Sequence, residues 1–293
     1  SYTEEPGWLL VGADFSSLED KINALVTKDP NKLKVYTENY DSHSFRAYNY
    51  WKDKMPDIDG TSVESINSIK YKYPELRSES KAPTFALIFG GTDYTLQKQC
   101  GFSKEEALSI QANFHEMYKV SVDWVKSKIH DVTIKGYADL AFGLRLRSKL
   151  LSNVVLNNRA TVKGAEAEAR TIGNAMSGQS YGLLNNRASN ALMKKVYASK
   201  YRLDILPVSW IHDAQYYLVR DVIDTLIWFN NNLIKEMSWQ ELPEIKSEEV
   251  LLSAELDVFY KSMATPITIP NNADKNTIIK VITEGVGKYE NVY

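Results

Sequence analysis

The segment Trp8 to Glu19, WLLVGADFSSLE, constrains the fold more than any other part of the chain. Trp8, Leu9, Leu10 and Val11 form a short apolar run that passes through Gly12 and Ala13 to a single acid, Asp14. A β-compatible run closed by a polar residue predicts a buried strand. Asp14 then stands at the mouth of a sheet, where its charge reaches solvent or a metal. Ser16 or Ser17 caps a following helix through Lys28, because Leu18, Ile22, Leu25 and Val26 share one helical face. Taken alone, this is an ordinary strand, turn and helix with a solvated acid. The choice between solvated acid and ligand depends on a second acid in a matching setting.

Length and composition set the outer bounds. A chain of 293 residues fits one large domain or two intimate ones. Its 44% hydrophobic and 25% charged content is that of a globular protein. No run approaches the roughly 18 apolar residues of a membrane span, so no membrane association is expected. The acidic start, SYTEEPGW, lacks a signal-peptide core. Cys100 is the single cysteine, which excludes an internal disulfide and an all-cysteine zinc site. A reducing, cytoplasmic setting is the expectation. The net charge of −2 neither predicts nor excludes nucleic acid, because distribution matters more than the sum. Local cationic clusters exist at Arg145, Arg147 and Lys149, and at Lys194, Lys195, Lys200 and Arg202.

Further along, Lys52 to Thr61 reads as a loop with Pro56, Asp57, Asp59 and Gly60. Ser103 and Glu106 form a capping box that opens a helical stretch to residue 130. Gly136 to Leu150 reads as a hairpin. Lys163 to Leu203 reads as one or two long helices, with Gly173, Gly178 and Gly182 marking a bend. Ile205 to Val219, ILPVSWIHDAQYYLV, is apolar on both sides of His212 and Asp213, which predicts a hairpin turning there. Val222 to Met237 is a helix, Leu251 to Phe259 a strand, and the end of the chain a polar tail.

Asp213 is the matching second acid. It too follows an apolar strand, at a hairpin tip. Two nearby carboxylates repel, which raises one pKa unless a cation is present. Oxygen ligands with room for water and phosphate suit Mg²⁺. The plain alternative is that Asp213 satisfies the turn. Between the two acids, Arg77, Lys81, Phe85 and Phe89 recur at every fourth residue, which places them on one slowly rotating helix stripe. Two cations followed by two rings suit a triphosphate at one end and a base or sugar at the other. An amphipathic helix with core phenylalanines and solvated cations gives the same pattern.

These residues resemble the palm and fingers of family A DNA polymerases, the bacterial DNA polymerase I group. Asp14 to Glu19, DFSSLE, resembles the family's D-Y-S-x-I-E. Arg77, Lys81, Phe85, Phe89 and Gly90 resemble the fingers pattern R-x3-K-x3-F-x3-Y-G. Ile211, His212 and Asp213 resemble V-H-D, Asp41 to His43 resembles D-x-H, and Arg170 with Asn174 resembles R-x3-N. Each motif alone is weak to moderate; five in order over residues 8 to 219 are strong.

The resemblance implies an α/β fold: an antiparallel palm sheet with flanking helices and an inserted, mostly helical fingers subdomain. The implied division is palm over 1–21 and 153–263, fingers over 22–152, and a tail over 264–293. It implies a templated DNA polymerase that joins dNTPs to a primer 3′-hydroxyl and releases pyrophosphate. Asp14 and Asp213 would hold two Mg²⁺ ions. Arg77, Lys81 and His43 would bind the triphosphate, with Lys81 as general acid. Phe85 and Phe89 would shape the sugar and base pocket. Glu19, five positions after Asp14, would be the steric gate against a ribose 2′-hydroxyl. Arg170, Asn174, Gln179 and His212 would touch primer-template DNA. Glu19 also separates this reading from single-subunit RNA polymerases, which carry a small residue there. A noncatalytic palm subunit is the remaining alternative.

The chain departs from the family pattern in places. Phe89 stands for the usual Tyr, Ala214 for the acid after the second Asp, and Trp210 for the usual Gln. Gln179 is one residue out of register with N-x3-Q. Pro83 lies inside the fingers motif, so the regular helix is expected to start near Ser80. The resemblance accounts for neither a thumb nor an exonuclease domain in this chain. It implies a separate chain or region carrying them, in a split or viral enzyme working in the host cytoplasm.

Overall fold

The computed structural model describes residues 7–153, 163–260, 262–270 and 273–290. The chain divides into two compact units, residues 1–18, 181–241 and 251–293 in one, and residues 19–180 and 242–250 in the other.

The first unit is built on a five-stranded sheet of order β4-β5-β1-β6-β7. Its strands are β1 (Trp8–Phe15), β4 (Ile205–Ile211), β5 (Ala214–Arg220), β6 (Ala254–Phe259) and β7 (Pro266–Ile269). Every neighbouring pair is antiparallel. The apolar run of the opening segment becomes the central strand because it can be buried on both sides. Val11, Ala13 and Phe15 point to one face with Tyr217, Val219, Leu256 and Val258, all buried. Helices α12 (Leu183–Tyr197) and α13 (Ile223–Met237) cover that face. They bring Ala188, Leu192 and Val196, and Leu226, Phe229 and Leu233, all essentially inaccessible. Tyr217 meets Phe229 edge to face with centroids 5.0 Å apart. Burying such a side chain contributes about 1.5–3 kcal/mol.

On the other face, Gly12 separates two rings. Tyr216 of β5 and Phe259 of β6 lie opposite neighbouring β1 positions and stack at 6.2 Å. A Cβ on Gly12 would come within 2.8 Å of the Tyr216 ring and 3.0 Å of the Phe259 ring. Glycine here is required by close approach.

The segment 264–293, expected as a tail, instead contributes structure. β7 extends the sheet, and α14 (Lys275–Glu290) packs on β7. Ile267, Ile269 and Ile278 are buried. Four residues alternating about Thr268 are too short a signal to separate from a loop by pattern alone.

The second unit is mostly helical. It runs through α1 (Leu18–Thr27), α2 (Pro30–Thr37), α3 (Ser42–Trp51), α4 (Val63–Asn67), α5 (Ile69–Lys72), α6 (Pro74–Glu79) and α7 (Lys81–Ile88). It continues with the single turn α8 (Asp93–Thr95), then α9 (Lys104–Met117), α10 (Lys119–Lys135), the hairpin β2 (Tyr137–Asp139) and β3 (Arg145–Arg147), and α11 (Lys163–Ser177). The expected capping box opens α9, with Ser103 and Glu106 bonding reciprocally. Gly136, in a left-handed conformation, closes α10. The expected bend lies between α11 and α12, where residues 179–182 form a 3-10 turn. A core of Tyr50, Trp51, Ile69, Leu87, Leu96, Ile110, Phe114 and Tyr118 joins α3, α7 and α9.

One polar cluster lies inside this unit. Asp20 accepts from Arg46 at 2.5 Å, Tyr36 at 2.6 Å and Lys32 at 3.2 Å. Arg46 also donates from Nε to the Tyr118 hydroxyl. Arg46 and Lys32 are 3% and 2% exposed, which such charges tolerate only when paired.

Gly12→Ala is expected to destabilise the protein by about 1–3 kcal/mol through overpacking between Tyr216 and Phe259. A urea denaturation midpoint lowered at unchanged slope reads this out.

Candidate active site

In the first unit, Asp14 lies one residue from the end of β1 and emerges on the face opposite the helices. Its cross-strand partners are Ala214 on β5 and Glu255 on β6. The β4–β5 hairpin turns through His212 and Asp213, which places Asp213 beside Asp14, close enough for their side chains to hydrogen bond. The structure thus brings the two expected acids together. Burial and then the Asp213 charge push the Asp14 carboxyl up to about 6, against a hydrogen bond from the Phe15 backbone. Asp257 on β6, opposite Gly12, adds to the upward push.

Among the described residues no third His, Cys, Asp or Glu joins Asp14 and Asp213 in a cluster able to hold a metal. Two carboxylates with open positions around them are nevertheless a donor set that suits Mg²⁺, which keeps water and takes phosphate oxygens. Burial is the larger cause of the raised Asp14 pKa, and the Asp213 charge adds a repulsion that a cation would relieve.

The turn itself is held from below. His212 adopts a left-handed backbone, φ 55°, uncommon outside glycine. Asn185 of α12, fully buried, donates to the carbonyls of His212 and Ala214 at 3.2 and 3.0 Å. Its own oxygen accepts from Gln215, and the Gln215 oxygen accepts from the Tyr217 hydroxyl. Sequence reasoning missed this chain. Its only trace was the pair Gln215 and Tyr217, polar residues at alternate positions of an otherwise apolar strand.

The second unit carries the remaining expected residues. Asp41 caps α3, accepting from the Ser44 N–H at 2.8 Å. Its two oxygens also accept from Nε and Nη2 of Arg77, both at 2.8 Å. Burial pushes the Asp41 carboxyl up, but Arg77 and Ser44 win and hold it well below the usual carboxylate range. The expected stripe is broken. Arg77 sits on α6, and a new helix, α7, starts at Lys81, one residue after the expected start. Pro83 falls in its first turn, where a missing N–H costs nothing. Ser80, at the break, points its buried hydroxyl to the carbonyls of His43 and Arg77.

Burial pushes the His43 imidazole down to about 4, helped by the charges of Arg46, Lys81 and Arg77. His43 is therefore neutral at pH 7, a hydrogen-bonding group rather than a cation. Its Nδ1 is buried without a partner. Phe85 is half exposed, with its ring 6.3 Å from that of His43. Asn174 of α11 donates to the Phe89 carbonyl at 3.3 Å. A Cβ on Gly90, which has φ 77°, would press to 3.3 Å from the Arg170 side chain. Arg170 and Asn174 thus meet the end of α7, and with Gly90 they line a cavity of about 310 Å³. Glu19 lies in the first turn of α1, and Gly178 packs against it. Gln179 is exposed in the turn that follows.

The antiparallel sheet thus presents two acids together, one from its central strand and one from an adjoining hairpin tip. The chain belongs to DNA polymerase family A, whose profile matches residues 2–223. It is similar to DNA polymerase I of Caldicellulosiruptor bescii, 26% identical over 54% of this chain and 17% of that one. It is similar to DNA polymerase I of Bacillus subtilis, 24% identical over 45% of this chain and 14% of that one. The matched stretch spans about a sixth of the length of these relatives. In fold it is similar to the POL domain of Pol1 from M. smegmatis, solved in complex with DNA primer-template and dNTP. The TM-score is 0.66 at 20% identity, covering 87% of this chain and 40% of that one. No described helix is long and apolar enough to cross a membrane.

In the metal-free protein, carbon-detected NMR is expected to find the Asp14 titration midpoint near 6. Asp213→Asn is expected to lower it while burial keeps it above 3.8, and added Mg²⁺ to lower it further in the wild type. Because the folded pKa is raised, this group's contribution to stability is full below about 3.8 and is lost as pH rises through 6.

Proposed function

We propose that this chain is the catalytic portion of a template-directed DNA polymerase, adding dNTPs to a primer 3′-hydroxyl by two-metal phosphoryl transfer. The observation that carries the proposal is the Asp14–Asp213 pair on the palm sheet of a family A chain. Mg²⁺ bound there would activate the 3′-hydroxyl and stabilise the leaving pyrophosphate. Asp14 and Asp213 would be its ligands. Arg77 and Lys81 neutralise the triphosphate, and Lys81 protonates the departing pyrophosphate. Its position at the first residue of α7, where helical N–H groups point outward, favours an anion there. His43, kept neutral, hydrogen-bonds the β-phosphate. Phe85 and Phe89 shape the space for sugar and base. His212 and Asn174 contact the primer terminus and template-primer backbone, and Arg170 and Gln179 the duplex near the nascent pair.

Glu19 is the gate that excludes a ribose 2′-hydroxyl, which favours dNTPs over the NTPs of an RNA polymerase. A further chain or region carrying thumb and exonuclease domains would hold the duplex.

Primer extension with Mg²⁺ tests the proposal. Asp14→Ala and Asp213→Ala are each expected to lower the rate by about three orders of magnitude with the far-ultraviolet circular dichroism unchanged. Glu19→Ala is expected to raise NTP incorporation relative to dNTP by about ten-fold or more. No extension by the wild type, even with a thumb-bearing partner supplied, defeats the enzyme reading in favour of a noncatalytic primer-template binder.

A further inference from the structure

Arg77 is not a loose surface cation. Its guanidinium meets Asp41 side-on, through Nε and Nη2, each 2.8 Å from a separate carboxylate oxygen. A guanidinium has five N–H groups in one plane. The side-on pair uses two of them. The three that remain lie along the other edges, and the Nη1–Nη2 end presents two parallel N–H bonds. That fork matches two oxygens of a phosphate.

Asp41 is itself fixed. Its carboxylate caps α3 through Ser44, and its backbone N–H donates to Asn67 Oδ1 at 2.6 Å. The Ser80 hydroxyl reaches the carbonyls of both His43 and Arg77, so α3 and α6 are tied at a second point. His43 lies two residues after Asp41 and keeps a buried nitrogen without a partner. Arg77 stays partly accessible, at 26%. The arrangement holds one edge of the guanidinium and leaves another open.

We propose that Asp41 is a positioning residue for triphosphate binding. It clamps the Arg77 guanidinium side-on so that its end-on fork is presented to the phosphates of the incoming nucleotide. This rests on the reading of Arg77 as a triphosphate ligand. The clamp has an electrostatic cost, because the carboxylate cancels part of the positive charge that draws a triphosphate. Orientation and charge therefore pull in opposite directions, and their balance is measurable. If orientation wins, removing the carboxylate weakens nucleotide binding. If charge wins, it tightens it.

The test uses Asp41→Asn, which keeps a side-chain oxygen to cap α3 while removing the charge. The expected result is a rise of about ten-fold in KM for dNTP, with a much smaller change in kcat and in primer-template affinity. The same substitution in an Arg77→Ala background should change KM less than about two-fold, because the clamp then has nothing to orient. Asp41→Ser, a second capping residue without a carboxylate, should reproduce the effect and guards against a folding defect in one variant. A lower KM in Asp41→Asn overturns the proposal. So does an equal effect with and without Arg77, which marks a role in holding α3 alone. An Arg77→Ala protein with unchanged dNTP KM defeats the triphosphate reading itself. A raised KM in Arg77→Ala alongside a silent Asp41→Asn defeats only the clamp.

Discussion

Two carboxylates cannot share a partly dry corner of a protein without a proton or a cation between them. That constraint organises the first unit. The sheet register leaves Asp14 no other place: its strand is pinned on both sides, and its neighbours across the ladder are Ala214 and Glu255. The hairpin register likewise leaves Asp213 in the turn. Asn185, Gln215 and Tyr217 then fix the turn with buried hydrogen bonds, which rigidify a site only when every member is satisfied. Repulsion built into a rigid frame cannot relax by movement. It adds to the effect of burial in raising the Asp14 pKa.

Much of this was legible in the sequence, for a physical reason. Strand-end acids, the hairpin at His212 and Asp213, and the capping box at Ser103 are local patterns whose causes lie within a few residues. The same holds for the glycine-marked bend between α11 and α12. What was illegible depends on partners distant in sequence. Asp20, Lys32 and Arg46 belong to no local pattern that would pair them. Only the packing of α1, α2 and α3 makes them a buried set. The break after Arg77 was expected from Pro83; what was illegible is the Asp41 carboxylate that holds the Arg77 guanidinium ahead of it. Pro83 and the Ser80 hydroxyl, bonded to the carbonyls of His43 and Arg77, accompany the break between α6 and α7. β7 was missed because four residues give too little alternation to register.

The departures from the family pattern have local meanings. With Ala214 next to Asp213, the second acid stands without the following carboxylate, so the local negative charge is smaller. Asp257 restores part of it from the other side of β1, through its effect on Asp14. With Phe89 at the end of α7, the ring keeps its apolar surface and gives up a hydroxyl. The Phe89 carbonyl accepts from the Asn174 side chain, which ties the end of α7 to α11.

The cluster of Asp20, Lys32, Arg46, Tyr36 and Tyr118 has a consequence for how this sequence can change over time. Removing Asp20 strands the Arg46 and Lys32 charges inside the protein, a loss of about 3–5 kcal/mol, a large part of a domain's whole stability. Replacing the set with apolar residues of similar volume carries no such penalty, but it requires several substitutions at once. Position 20 is therefore the hardest of the set to change alone, because any substitution that removes its carboxylate leaves two buried cations without their shared partner.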